Sequence, residues 1–213
     1  MANAGQSTDR NVFVNCPIDS EYKDKLDALI FTIYDCGFFP RYAEEAADSG
    51  EIRFDKICRL IRESKYSIHD LSRIEINSPN LPRFNMPFEL GLFIGSKVFS
   101  KQKHKACLVM ESEPYRYKQF CSDISGVDIS AHGNDPTKVI RVVRDWLRSK
   151  LARSDSIPGG DELLARYRRF LLKFPELCRT QHLNPAEPII YYDYISLVEG
   201  WCEGDDWRLP RTS

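Results

Sequence analysis

Short strand-forming runs alternate with helical patterns between residues 11 and 151, and few folds satisfy that alternation. Asn11 to Cys16 is a β-rich run closed by Pro17, followed by Tyr22 to Asp35 with Leu26, Leu29, Ile30 and Ile33 at helical spacing and Gly37 as a stop. Phe38 to Tyr42 reads as a second strand, and Glu51 to Ser64 as a helix with Phe54, Ile57, Cys58 and Ile61 on one face. Tyr66 to Asp70 and Ala106 to Met110 are further strands, and Gly126 to Ile129 is a weaker fifth. Tyr115 to Cys121 is a short helix, and Thr137 to Leu151 closes the series with Val139, Val143, Trp146 and Leu147 on one side. Strands joined through helices run parallel and must be covered on both faces, so a mostly parallel five-stranded sheet between helical layers is expected.

The Ser-Ile-Pro-Gly-Gly stretch after Asp155 reads as a linker, which divides the chain into an α/β domain over residues 1–154 and a helical extension over 155–213. In the extension, Asp161 to Phe174 carries Leu163, Tyr167, Phe170, Leu171 and Phe174 as an apolar stripe, and Glu187 to Cys202 reads as another helix. Such a stripe must be buried against the sheet domain or another chain, and docking with homo-oligomer formation is expected. Arg166, Arg168, Arg169 and Lys173 on the other side of the first helix read as a solvated face.

Thirty basic residues nearly balance thirty-one acidic ones, so no global field favours nucleic acid or an anionic membrane. The seven cysteines are widely spaced without a C-x-x-C pair, which argues against a disulfide framework or zinc site and fits a reducing cytoplasm. The first ten residues are polar, and the chain holds no run of eighteen apolar residues, so neither secretion nor membrane crossing is expected.

The stretch from Arg83 to Gly95 asks for a chemical explanation. Asn85 suits an N-cap and Pro87 a first helical turn, and from Phe88 onward the helix is apolar nearly all round, with Glu89 its only charge before Lys97. A helix of this kind is buried, and an unpaired buried carboxylate is costly or takes up a proton. Glu89 therefore has a partner or faces a cleft. In an open parallel sheet, ligands bind beyond the carboxyl ends of the strands. The segments at that edge are Asn15 to Asp19, Arg41-Tyr42 and Asp70 to Arg73, and the Glu89 helix opens toward the same edge.

An Ile-His-Asp-Leu-Ser strand end at residues 68–72 followed by the Met-Pro-Phe-Glu-Leu-Gly helix start at 86–91 resembles the superfamily of nucleoside 2-deoxyribosyltransferases and TIR-like NAD-cleaving domains. The resemblance covers roughly residues 11–150. It implies a flavodoxin-like three-layer sandwich and an enzyme cleaving the base–ribose bond of NAD or a related nucleotide, with a role in bacterial anti-phage defence. It carries Glu89 onto the carboxylate that attacks or stabilises the sugar C1, and Asp70 onto the acidic residue at the end of the third strand. Asn15, Cys16 and Pro17 correspond to the loop lining the nucleotide pocket. This sequence departs from the pattern in lacking the Asp-Gly-Thr approach to the glutamate, where Arg83 to Pro87 stand instead.

The chemistry agrees with the residues. Oxocarbenium character at C1 calls for an ionised carboxylate beneath the sugar, while a base needs an aromatic face, for which Phe13, Tyr42, Phe84 and Phe88 are available. Arg41, Arg53, Arg73 and Arg83 are candidates for phosphate. The expected catalytic pair is Glu89 and Asp70. The substrate-binding set is Phe13, Asn15, Cys16, Pro17, Arg41, Tyr42, Ser72, Arg73, Arg83, Asn85 and Phe88, with a nucleotide as substrate and neither cofactor nor metal. His69 within an apolar strand reads as a core histidine, Cys16 as a buried thiol, and Asp70 equally as the cap of the following loop. The rival readings are a module that binds a nucleotide signal without turnover and an interaction domain that self-associates through the tail.

Overall fold

The computed structural model describes residues 8–43, 50–73, 84–100, 102–124 and 126–203. Five strands, β1 (Asn11–Asn15), β2 (Phe39–Tyr42), β3 (Tyr66–Asp70), β4 (Ala106–Glu111) and β5 (Ile129–Ala131), form one sheet in the order β2-β1-β3-β4-β5. Every pairing is parallel, with Phe13 opposite Arg41 on one side and Ser67 on the other. The order reverses direction at β1, and the architecture is the flavodoxin-like one expected from the alternation and the resemblance together.

Side chains of a strand alternate between faces, and each face has its own core. Val12, Val14, Tyr66 and Ile68 join the cluster beneath α1 (Lys23–Asp35) and α4 (Pro136–Arg148), whereas Phe13 packs with residues of α2 (Arg53–Glu63) and α3 (Asn85–Phe99). The two faces meet different partners beyond these helices. On the α1 side, α5 (Gly160–Thr180) and α6 (Tyr191–Glu203) form an additional outer layer. Helix α1 is thereby covered front and back, and every residue from Ala28 to Asp35 is buried.

The residues after 155 thus share one hydrophobic core with the sheet domain instead of standing apart from it. Phe31 packs between Tyr167 and Phe170, with ring centroids 5.0 and 5.2 Å away. Of the expected stripe, Leu163, Tyr167 and Phe170 are buried and Phe174 packs against them, but Leu171 points outward. That stripe is covered by the sheet domain, the first of the two destinations expected for it. Exposed apolar side chains lie instead along α2 and α3, at Phe54, Phe88, Val98 and Phe99.

Three elements differ from the sequence reading. Strand β5 is displaced beyond Gly126 to Asp128, because the Val127 N–H closes a turn on the Ile124 carbonyl. Helix α5 continues through Pro175 to Thr180; the proline deprives the Leu171 carbonyl of its donor, and the exposed position of Leu171 puts that carbonyl within reach of water. Helix α6 starts at Tyr191, leaving Pro188 to Ile190 as a non-helical approach.

The two layers are joined by charge as well as by apolar contact. Arg166 donates from Nε and Nη2 to the two carboxylate oxygens of Asp35 at 2.7 and 2.8 Å, and the Cys202 thiol lies 3.4 Å from Oδ1. Asp35 is fully buried. Replacing Arg166 by Ala strands that carboxylate, and a loss of about 3–5 kcal/mol is expected in urea unfolding. A double replacement Asp35→Asn with Arg166→Met should recover much of the loss.

Candidate functional site

The carboxyl ends of β1 and β2 and the first turns of α2 and α3 enclose a cavity of about 280 Å³. Its walls include Asn15, Cys16, Pro17, Tyr42, Arg53, Asn85 and Glu89. The α3 helix begins one residue earlier than the expected cap: Phe84 occupies the N-cap without a side-chain bond, and Asn85 is the first helical residue. Instead of capping, Asn85 lines the cavity. Pro87 sits in the first turn, where no helical donor is needed.

Alternation along the strands decides what else reaches this side. Asn15 and His69 are paired residues of β1 and β3, and both project toward α3. The Asn15 amide donates to the Met86 carbonyl and to His69 Nδ1, both at 2.9 Å. With Nδ1 accepting, the ring proton resides on Nε2 and is directed to Ser67 Oγ at 2.9 Å. Burial pushes the His69 pKa down to about 3, and Phe13 and Phe93 flank its ring, so it is the core histidine the sequence indicated. Both amide protons of Asn15 are spent, one on tying α3 to β1 and the other on His69 of β3, and its carbonyl oxygen is the group it can offer to the cavity.

Glu89 is one turn further along α3 and is buried at 6% exposure. It makes no hydrogen bond or ion pair among the described residues. Burial raises its pKa to about 7, with the Arg53 guanidinium across the cavity pulling the other way. The carboxylate is therefore held near its titration point at neutral pH. Cys16 is between Glu89 and Asp70; burial, reinforced by Asp70, Glu89 and Asp19, pushes its thiol far up, so it lines the site as SH.

Asp70 belongs to the other face. Being adjacent to His69, it projects toward α1, where it is fully buried and does not line the Glu89 cavity. Tyr22 donates to Oδ2 at 2.5 Å, and the Ser72 backbone N–H donates to Oδ1 at 2.9 Å, joined there by the Ser72 hydroxyl. His132 Nδ1 accepts from the Asn134 N–H at 3.1 Å, which leaves the ring proton on Nε2, 3.0 Å from Asp70 Oδ2. Burial alone would raise the Asp70 pKa, but the bonds from His132, Ser72 and Tyr22 hold it below the ordinary range. The geometry corrects the paired role expected for Asp70 and Ser72: they brace the turn after β3 and do not meet Glu89. Nothing in the sequence pattern marks Tyr22 or His132; His132 directly follows β5, which the sequence pattern starts three residues too early.

The other expected residues divide. Phe13 is wholly buried in the α2–α3 core and offers no face to a ligand. Arg41 pairs with Glu63 at 3.2 Å, and Arg73 pairs with Asp19 at 3.1 Å and with Glu21; neither lines the cavity. Phe88 is exposed and packs beside Phe54, on the outer face of α3. Arg83 lies outside the described residues. Arg53, singled out for phosphate, is the cation at the cavity wall. Among the described residues no cluster of three His, Cys, Asp or Glu side chains is placed to hold a metal ion, and all seven cysteines are free thiols. The chain matches no protein-family model and none of the curated proteins compared with it, so the functional reading rests on this site.

The raised pKa has a stability consequence. From about pH 4.5 to 7 the folded protein retains a proton that the unfolded chain has released, so stability falls as pH rises through that window. Glu89→Gln removes the ionisation and should stabilise the fold at about pH 8 by about 2–3 kcal/mol, a figure reduced because the cavity admits water. Below about pH 4.5 the two proteins should unfold at nearly the same urea concentration.

Proposed function

We propose that this protein cleaves the N-glycosidic bond of a nucleotide, with Glu89 as the reacting carboxylate. The supporting observation is a buried glutamate that has no bonding partner among the described residues, faces a cavity at the carboxyl edge of a parallel sheet, and has a pKa raised by burial to about 7. Stability alone does not favour such a group, and functional sites are where it is found. As the bond from C1 to the base breaks, positive charge grows on the sugar, and ionised Glu89 beneath it lowers that barrier. The electron pair of the broken bond leaves with the base. Water then adds to C1, and its proton passes to Glu89, whose pKa suits a base working at neutral pH.

The surroundings favour a particular leaving group. Asp19 is engaged by Arg73, the Cys16 thiol is a very weak acid, and Asp70 is sequestered on the other face. A base that must be protonated as it departs is poorly served by these groups. A pyridinium base, which carries its positive charge already and leaves neutral, needs no such help. NAD and related pyridinium nucleotides are accordingly the substrates that suit the site best, with Arg53 and Tyr42 in the wall that the nucleotide would meet.

Purified protein incubated with NAD, other nucleotides and nucleosides should release free base from the pyridinium compounds. Glu89→Gln should reduce that release by about two to four orders of magnitude. The wild-type kcat/KM should rise with pH along a limb centred at about 7, because only ionised Glu89 stabilises the cation. Unchanged turnover in the variant excludes the assigned role, and nucleotide binding without base release in the wild type supports a sensing module in its place.

A further inference from the structure

A second cavity, of about 750 Å³, lies between the β1–α1 loop, the first half of α1 and the approach to α6. Its walls are mostly apolar and aromatic, contributed by Leu26, Ile30, Ile189, Tyr191, Tyr192 and Tyr194. A few polar groups, Asp19, Ser20, Lys23 and Asp27, converge on one side of it. The size and lining match those of small-molecule sites, which run to about 300–1,000 Å³ with a few placed polar groups in an apolar wall. The Glu89 cavity, at about 280 Å³, is at the lower limit of that range and accommodates only part of a nucleotide larger than a single nucleoside.

The two spaces are neighbours that share a wall. Ile18, Asp19 and Tyr42 line both, and the Tyr42 ring packs against Tyr191 at 4.8 Å between centroids. A ligand that reacts at Glu89 and extends beyond this shared wall meets the larger space next. The larger space is flanked by the amino end of α1 and lined by Lys23, whose ammonium reaches Asp27 at 2.7 Å and lies 5.6 Å from the Tyr194 ring centroid. The positive end of a helix and a half-exposed lysine are suited to a bridging phosphate.

We propose that the second cavity binds the non-reacting nucleoside of a dinucleotide, its base stacked on the tyrosines that open α6. This inference rests on the reading of Glu89 as the reacting carboxylate only for the orientation of the ligand; the subsite itself is defined by the aromatic cavity. The residues after 155 then have a chemical role beyond packing, because they supply the wall that distinguishes a dinucleotide from a mononucleotide. Tyr192 is largely exposed, so its replacement tests the wall without disturbing the core.

Calorimetric titrations of full-length Glu89→Gln protein should show NAD bound about tenfold or more tighter than nicotinamide mononucleotide, the difference one stacked base supplies. Adding Tyr192→Ala should remove about tenfold of the NAD affinity, leave the mononucleotide unchanged, and weaken binding of adenosine monophosphate; Tyr192→Phe should retain all three affinities. Equal affinity for NAD and the mononucleotide, or a parallel loss of both in Tyr192→Ala, overturns the subsite. Wild-type turnover separates the two proposals. Cleavage of NAD that depends on Glu89 but is indifferent to Tyr192 upholds the reaction and rejects the subsite, whereas adenosine monophosphate binding that depends on Tyr192 without any cleavage upholds the subsite and rejects the reaction.

Discussion

Helix α1 is buried on both sides, and the structure depends on the way its last residue is neutralised. Asp35 sits at the carboxyl end of that helix with no access to solvent, where an ionised side chain is tolerated only if paired and hydrogen-bonded. Arg166 supplies both bonds from an element more than a hundred residues away in the chain. The pair ties α5 to α1, and α6 packs across both. From that layer the approach to α6 runs back over the β1–α1 loop, which brings Tyr191 against Tyr42 and so joins the outer layer to the edge of the sheet.

Buried carboxylates in this protein meet different fates, and the differences sort structure from chemistry. Asp35 is paired with an arginine. Among the described residues Asp70 has no arginine or lysine beside it, but donors from Tyr22, Ser72 and His132 hold its proton off. Glu111, at the end of β4, receives bonds from the Ser112 backbone and hydroxyl on one oxygen, and burial leaves its pKa raised. Glu89 has none of these bonds and opens on a cavity, so burial dominates and its proton is held to about neutral pH. The group least satisfied by the fold is the one accessible to a ligand, which is the distinction a catalytic carboxylate requires.

Much of the architecture was legible in the sequence because it depends on local periodicity. Val12, Val14 and Phe13 alternate as a strand buried on both faces must, and Ile57, Leu60 and Ile61 recur as one face of a helix. The place of Glu89 was legible for the same reason: a lone acid in an apolar helix stands out from its neighbours whatever the partners are. The boundaries of β5 and α6 were less legible, since a three-residue strand leaves little pattern and Pro188 to Ile190 are apolar without being helical. The stripe on α5 was visible as a face that had to be covered, but its destination was not.

The sequence by itself determined the parallel α/β order, the burial of the α3 start and the chemical oddity of Glu89, because each follows from residues close together in the chain. Only the tertiary structure decided which polar residues share a cavity. Asp70 and His69 are adjacent, yet the pleat sends them to opposite faces, so the shared sheet edge and the resemblance put Asp70 with Glu89 and the packing did not. The same holds for Arg166 with Asp35 and Tyr191 with Tyr42, which are brought together by the packing of whole layers. Such pairings are set by the crossing of elements distant in sequence, and no local pattern records them.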